Sequence, residues 1–247
     1  MPPRAPSRRE PAMTFVGHLE ELRRRLAISL LAVLLGVAIS LARVDHLLGW
    51  LEQPARHLLW RLAFFSPTEP LLAYMKVGVL SGVIIAMPVV LWQVWLFVRS
   101  GLTERERSYG LAFIGWGSLQ FVLGAALAYY GLLPTALRVL FSIGRGRLEP
   151  VISIDQYVSF VTTMMFWSGV VFELPVALFF LARAGVVTPA WLQQQRGYAI
   201  LSLAIIAALV TPTTDIVSLL LMLGPMMALY EVSIWATHLA ARLRHRR

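Results

Sequence analysis

Apolar runs of roughly twenty residues recur along this chain, and no other feature limits its fold so tightly. A run of that length crosses a hydrocarbon core as a helix, because lipid offers the backbone N–H and C=O groups no other partner. The sequence predicts six spans, at about 26–42, 71–98, 110–133, 156–182, 197–211 and 216–236. The expected fold is an all-α integral membrane protein. Pro88, Pro175 and Pro225 fall inside three of the spans. Proline removes a helical hydrogen bond and kinks a helix, so these positions predict a curved bundle of six helices and not a set of straight rods. No internal repeat relates one half of the chain to the other, which sets it apart from inverted-repeat transporters.

Composition agrees. Only 14% of the 247 residues are charged and 58% are hydrophobic, against about a quarter charged in a soluble domain. The chain has no cysteine, which excludes disulfides and thiolate metal sites, and its five histidines fit no ligand spacing. No metal or cofactor is expected. The net charge of +9 gathers at the ends of the apolar runs, where it sets topology, and so does not point to nucleic acid. With six spans, fifteen of the 22 Lys and Arg residues fall on one side and six on the other, Lys76 lying within the second span. That asymmetry predicts that both termini are cytoplasmic. The first run ends at Arg43 and not at a small-residue cleavage site, so it reads as a retained span.

Residues 1–13, rich in proline and arginine, read as a disordered basic tail; 14–236 form the membrane domain, and 237–247 a second basic tail on the cytoplasmic side. Thr14 is placed to cap an amphipathic helix with Phe15, His18, Leu19, Leu22 and Leu26 on one face and Glu20, Glu21, Arg23, Arg24 and Arg25 on the other. Such a helix is expected at the interface. The fifth span has 15 residues, roughly 22 Å of helix against a core of about 30 Å. It either thins the bilayer or hides behind partners, unless its true bounds are wider.

A few polar residues lie at membrane depth. Glu173, in Phe172-Glu173-Leu174-Pro175, must face the bundle or a wet cavity, as a functional acid or as a structural hydrogen-bond partner. Glu231 can reach the interface or an arginine, which favours a structural role. Interhelical hydrogen bonds account for Gln93 and Gln120, and Gly78 with Gly82 marks a close helix contact. Glu20, Glu21, Glu104 and Glu106 lie on a side otherwise dominated by arginine. They form either a solvated charged face or a set of carboxylates able to take guanidinium groups in bidentate fashion. Thr211-Pro212-Thr213-Thr214-Asp215 makes a turn joining the last two spans as a hairpin.

Taken in order, certain segments resemble the TatC family, the multispanning subunit of the twin-arginine protein translocase. They are His18-Leu19-Glu20-Glu21-Leu22-Arg23, Ser66-Pro67-Thr68-Glu69-Pro70, Trp92-Gln93, Phe97 through Arg107, Phe172-Glu173-Leu174-Pro175, Thr211 through Asp215, and Pro225 with Leu229-Tyr230-Glu231. The resemblance covers about residues 14 to 236, and it lies in the ordered set and not in any one piece. It implies a receptor that binds Arg-Arg signal peptides at the cytoplasmic face. It also implies assembly with TatA- and TatB-type single-span subunits, a homo-oligomer within the complex, and export of folded proteins across a prokaryotic inner membrane on the proton-motive force. Carried over by position, Glu20, Glu21, Arg23, Phe97, Glu104, Glu106 and Arg107 become signal-peptide residues, and Glu173 the intramembrane acid. Thr211, Pro212 and Asp215 form the outer hairpin where partner helices dock. The chain departs from the family pattern at Ser100, where proline is usual, and at Leu219, near which glutamine is common.

Rival readings predict different features. A proton-coupled small-solute transporter built around Glu173 needs a midplane cavity lined with polar groups, and the sequence supplies few. An intramembrane protease pairing Ser118 with His238 needs them within hydrogen-bond reach, whereas the six-span arrangement separates them in depth. A pure scaffold differs from the receptor only in whether the cytoplasmic carboxylates bind anything.

Overall fold

A computed structural model describes residues 15–56, 62–99, 110–142, 151–183, 185–210 and 216–245. These residues are helical almost throughout. The one pairing of extended backbone among them is an isolated parallel bridge between Ala63 and Ser153. The predicted tail at 1–13, with Thr14, lies outside the described residues.

Helix α1 runs unbroken over Phe15–Leu41. The amphipathic segment and the first span are therefore one helix, since no residue around Leu22 to Leu26 interrupts it. Helix α4, Glu69–Val98, follows two short helices, α2 (Val44–Leu51) and α3 (Gln53–Arg56). Thr68 precedes α4 and Pro70 sits in its first turn, where the missing N–H removes nothing the helix would use. Helix α5, Gly110–Leu127, passes through a π turn at Ala128–Leu132 into α6, Leu133–Ser142. Pro134 has no N–H to give the carbonyl of Tyr130, and the widened turn lies directly before it. The third helix thus continues beyond its expected end at 133.

The fourth span is broken. Helix α7, Ile154–Phe172, ends at Glu173, and α8, Leu174–Arg183, begins just before Pro175. Pro88 and Pro225 instead lie inside continuous helices, so of the three prolines only Pro175 coincides with a break. Then come α9, Pro189–Gln194, α10, Arg196–Val210, and α11, Ile216–His245. Helix α11 carries on through residues 237–245, beyond the end expected for the sixth span. Among the described residues, four helical stretches are long and apolar enough to cross a membrane: Gly17–Leu41, Glu69–Val98, Gly110–Ser142 and Ile154–Ala182. Helix α10, with 15 residues, is shorter.

Glycines set a close backbone contact between α1 and α4. A Cβ on Gly82 of α4 would lie 2.5 Å from the backbone nitrogen of Val37, and one on Gly36 of α1 would lie 2.5 Å from the carbonyl oxygen of Gly82. The two backbones touch at this crossing, and Gly78 lies a turn further along, against Leu41. The expected close contact on the second span is therefore a seam with α1. On the other side of α1 the leucines remain exposed, Leu26, Leu30 and Leu34 at 57–67%. This is a lipid-facing surface.

The main core joins α4, α5, α6, α7, α10 and α11, with α2 laid over one end. Two tyrosines pin this lid: the Tyr129 hydroxyl donates to the Trp50 carbonyl at 2.6 Å, and that of Tyr157 to the Leu51 carbonyl at 2.8 Å. Glu69 closes the same end. Its Oε2 accepts from the Ser153 hydroxyl at 2.6 Å and from the Phe65 N–H at 3.3 Å, while Ser153 caps α7 by accepting from the N–H of Asp155 and of Gln156. Glu69 thus ties three segments together. Glu69→Ala is expected to lower stability by about 1–3 kcal/mol, the value for a lost charge-assisted hydrogen bond. Glu69→Gln, which keeps an acceptor oxygen, is expected to recover much of that in thermal unfolding in lipid nanodiscs.

Candidate functional site

At the end of the bundle that holds the start of α1 and the finish of α4, five polar and aromatic side chains meet. The Arg25 guanidinium bridges the two helices: Nη2 donates to Glu21 Oε1 at 3.2 Å and Nη1 to Gln93 Oε1 at 3.3 Å. The Glu21 side chain is 15% exposed and that of Arg25 23%. Glu21 Oε2 and Arg25 Nε are both buried and have no hydrogen-bond partner among the described residues. Beside them the ring of His18 stacks on Phe97, with centroids 4.4 Å apart and planes 26° from parallel.

Two of the sequence-predicted site residues, Glu21 and Phe97, therefore come to one place. Glu20 and Arg23 stand exposed on the outer face of α1. Glu104, Glu106 and Arg107 lie outside the described residues. The segment that carries them follows the end of α4 and precedes Gly110, which packs directly against Trp95, so both of its flanking residues lie at the same end of the bundle as the cluster. The sequence reading did not place Arg25 and His18 at the site. The signal was available, since residues three or four apart share a helix face, and His18, Glu21 and Arg25 follow that spacing.

Glu173 occupies the break between α7 and α8 and is partly buried. One carboxylate oxygen faces Gly117 of α5, and the other, Oε1, is buried with no hydrogen-bond partner among the described residues, as is the Ser118 hydroxyl. At the break the Glu173 N–H donates to the Val170 carbonyl at 3.1 Å and the Glu173 carbonyl accepts from the Ala177 N–H at 2.8 Å, so the main chain of the acid stays paired while its carboxylate lies within an apolar bundle. His238 is hydrogen-bonded to Gln193 at 3.0 Å. Glu231 pairs with Arg196 at 2.8 Å, as a structural role predicts. Thr211, Pro212 and Asp215 lie outside the described residues.

An unexpected ion pair stands nearer the opposite end, where Lys76 of α4 meets Asp155 of α7 and also donates to the Ser159 hydroxyl at 2.7 Å. A lysine inside a span calls for a counter-ion, and Asp155, in the first turn of α7 and one residue before the expected fourth span, supplies it.

Residues 17–225 match the family model described as Sec-independent protein translocase protein (TatC). The chain belongs to the TatC family. It is 38% identical over 223 residues to the Sec-independent protein translocase protein TatC of Carboxydothermus hydrogenoformans, covering 90% of this chain and 92% of that one. To the TatC protein of Aquifex aeolicus it is 37% identical over 234 residues, covering 93% and 97%. The crystal structure of the twin-arginine translocase receptor TatC superposes with a TM-score of 0.83 at 37% identity, over 90% of this chain and 99% of the other. This TatC protein is therefore a multi-pass membrane component of a protein translocase, with a role in transport. Solute transport by a separate mechanism is not favoured.

Proposed function

We propose that the chain is the receptor subunit of a twin-arginine translocase. It binds Arg-Arg signal peptides through Glu21 and the loop carboxylates Glu104 and Glu106, with Phe97 beside them, and Glu20, Arg23 and Arg107 at the rim. The observation that carries the reading is the cluster at the start of α1 and the finish of α4. A largely buried carboxylate there keeps one oxygen without a partner among the described residues, at the bundle end from which the segment carrying Glu104 and Glu106 leaves. Each charge-assisted pair with a peptide arginine contributes about 1.5–3 kcal/mol. Arginine is preferred over lysine because its planar fork can engage two oxygens at once.

In this reading α10 and α11 are the fifth and sixth spans of the membrane domain, the basic tails and both termini face the cytoplasm, and the protein sits in the inner membrane of a prokaryote. Helix α10 is too short to span an undistorted core, which suits docking of TatA- and TatB-type single-span subunits near the outer hairpin of Thr211, Pro212 and Asp215. Glu173 then meets the apolar part of the peptide or a partner helix along the bundle. The active assembly contains several copies of the chain.

The test places a photo-crosslinker beside the arginine pair of a signal peptide. Capture by α1 and the 100–109 loop in the wild type is expected to fall at least tenfold in the Glu21→Ala, Glu106→Ala double variant. Undiminished capture would move recognition elsewhere. Absence of capture in the wild type, even with a TatB-type partner present, would sink the receptor reading.

A further inference from the structure

We infer that Arg25 is a positioning residue of this site, one that fixes the Glu21 carboxylate and leaves its second oxygen for the ligand to complete. The inference rests on the receptor reading of Glu21. Its basis is the pattern of paired and unpaired atoms. Arg25 uses both of its terminal nitrogens inside the protein, one on Glu21 Oε1 and one on Gln93 Oε1. Gln93 is 7% exposed on α4, so the guanidinium is fastened to a second helix and not merely lying along its own. Held in this way, Arg25 engages Glu21 through Oε1 alone. Oε2 is left as a buried acceptor and Arg25 Nε as a buried donor, neither with a partner among the described residues.

Unpaired buried polar atoms are expensive, and a native fold keeps them where something else completes them. Here the two unpaired atoms have opposite character and belong to side chains that are hydrogen-bonded to each other. An arginine residue in a peptide offers the matching pair, a guanidinium N–H for Glu21 Oε2 and a main-chain carbonyl for Arg25 Nε. A lysine ammonium can satisfy the carboxylate from many directions, so it draws little advantage from a carboxylate fixed in orientation. The fork of a second arginine does benefit, because its hydrogen bonds are directional. Arg25 therefore contributes to discrimination between Arg-Arg and Lys-Lys peptides more than to general attraction. Its positive charge works against the latter.

The experiment measures binding of synthetic Arg-Arg and Lys-Lys signal peptides to the full chain in nanodiscs, alone and with a TatB-type subunit. For Arg25→Leu, affinity for the Arg-Arg peptide is expected to fall about tenfold, with much less change for Lys-Lys, so that the ratio between the two collapses. Arg25→Lys restores the charge but cannot bridge Glu21 to Gln93, and the ratio is expected to remain low. Gln93→Leu leaves Arg25 and Glu21 intact and removes only the anchor, and it is expected to lower the ratio by about threefold. Should Arg25→Leu fail to fold, Arg25→Lys and Gln93→Leu carry the test. An unchanged ratio in these variants overturns the inference, and so does tighter Arg-Arg binding, which would make Arg25 a competitor for Glu21. Glu21→Gln separates the two levels. If it weakens binding while the Arg25 and Gln93 variants do not, only the positioning role fails. If it too leaves binding intact, or if the wild type binds neither peptide with the partner present, the receptor reading fails, and the positioning role with it.

Discussion

Gly82→Leu is expected to pull α1 away from α4 and to abolish function. A Cβ at this position would meet the Val37 backbone nitrogen at 2.5 Å and its Cα at 2.8 Å. Real Cβ atoms do not come that close, and a backbone cannot swing aside as a flexible side chain can. Overpacking in a core ordinarily costs about 1–3 kcal/mol, and more where nothing can give. Here the only relief is separation of the helices, which breaks the bridge from Glu21 through Arg25 to Gln93. Gly36→Val is expected to act alike, since its Cβ would strike the Gly82 carbonyl. Gly115→Ala is the control: a Cβ there meets nothing within 4 Å, and alanine favours the helix. Thermal unfolding and export of a folded reporter are expected to be lost for Gly82→Leu and retained for Gly115→Ala. Normal stability in Gly82→Leu would show that the two backbones do not touch.

The second large effect is expected at Lys76. Lys76→Leu leaves Asp155 without its cation, and removing one member of a buried pair costs about 3–5 kcal/mol. The lower figure applies, because the two side chains keep 35% and 25% of their surface open. Asp155 also lies in the first turn of α7, where a carboxylate favours the helix N-terminus. The double variant Lys76→Leu, Asp155→Asn removes both charges and is expected to be more stable than Lys76→Leu alone. Additive losses from the two changes in nanodisc unfolding would mean that the groups do not interact.

Much of the architecture is legible in the sequence, because lipid imposes long apolar helices and little else. Helix α4 begins at Glu69 where residue 71 was expected, and α10 matches its predicted span within a residue at each end. The reading falls short where a different constraint takes over. Helices α2, α3 and α9 are short and half-buried, too brief for periodicity to declare them. Glu173 looks like a mid-helix residue in a hydropathy pattern, and only the proline two positions later hints that the helix stops there. The Gly78 and Gly82 pair announced one side of the seam, but Gly36 is a lone glycine among leucines and valines. At the candidate site, Glu21 and Phe97 stood out by type. Arg25 did not, being one arginine in a run of three whose partners are chosen by the position of the neighbouring helix.

The Gly36–Gly82 crossing has a mechanical consequence. Arg25 lies eleven residues before Gly36 on α1, and Gln93 lies eleven residues after Gly82 on α4, which runs the opposite way. The contact is thus a fulcrum with two arms of equal length, each about 16 Å by helical rise. Opening the angle between the helices by about 10° would part their tips by about 3 Å, roughly the length of one hydrogen bond. A small rocking motion deep in the membrane would therefore be enough to make or break the contact between Arg25 and Gln93 at the surface.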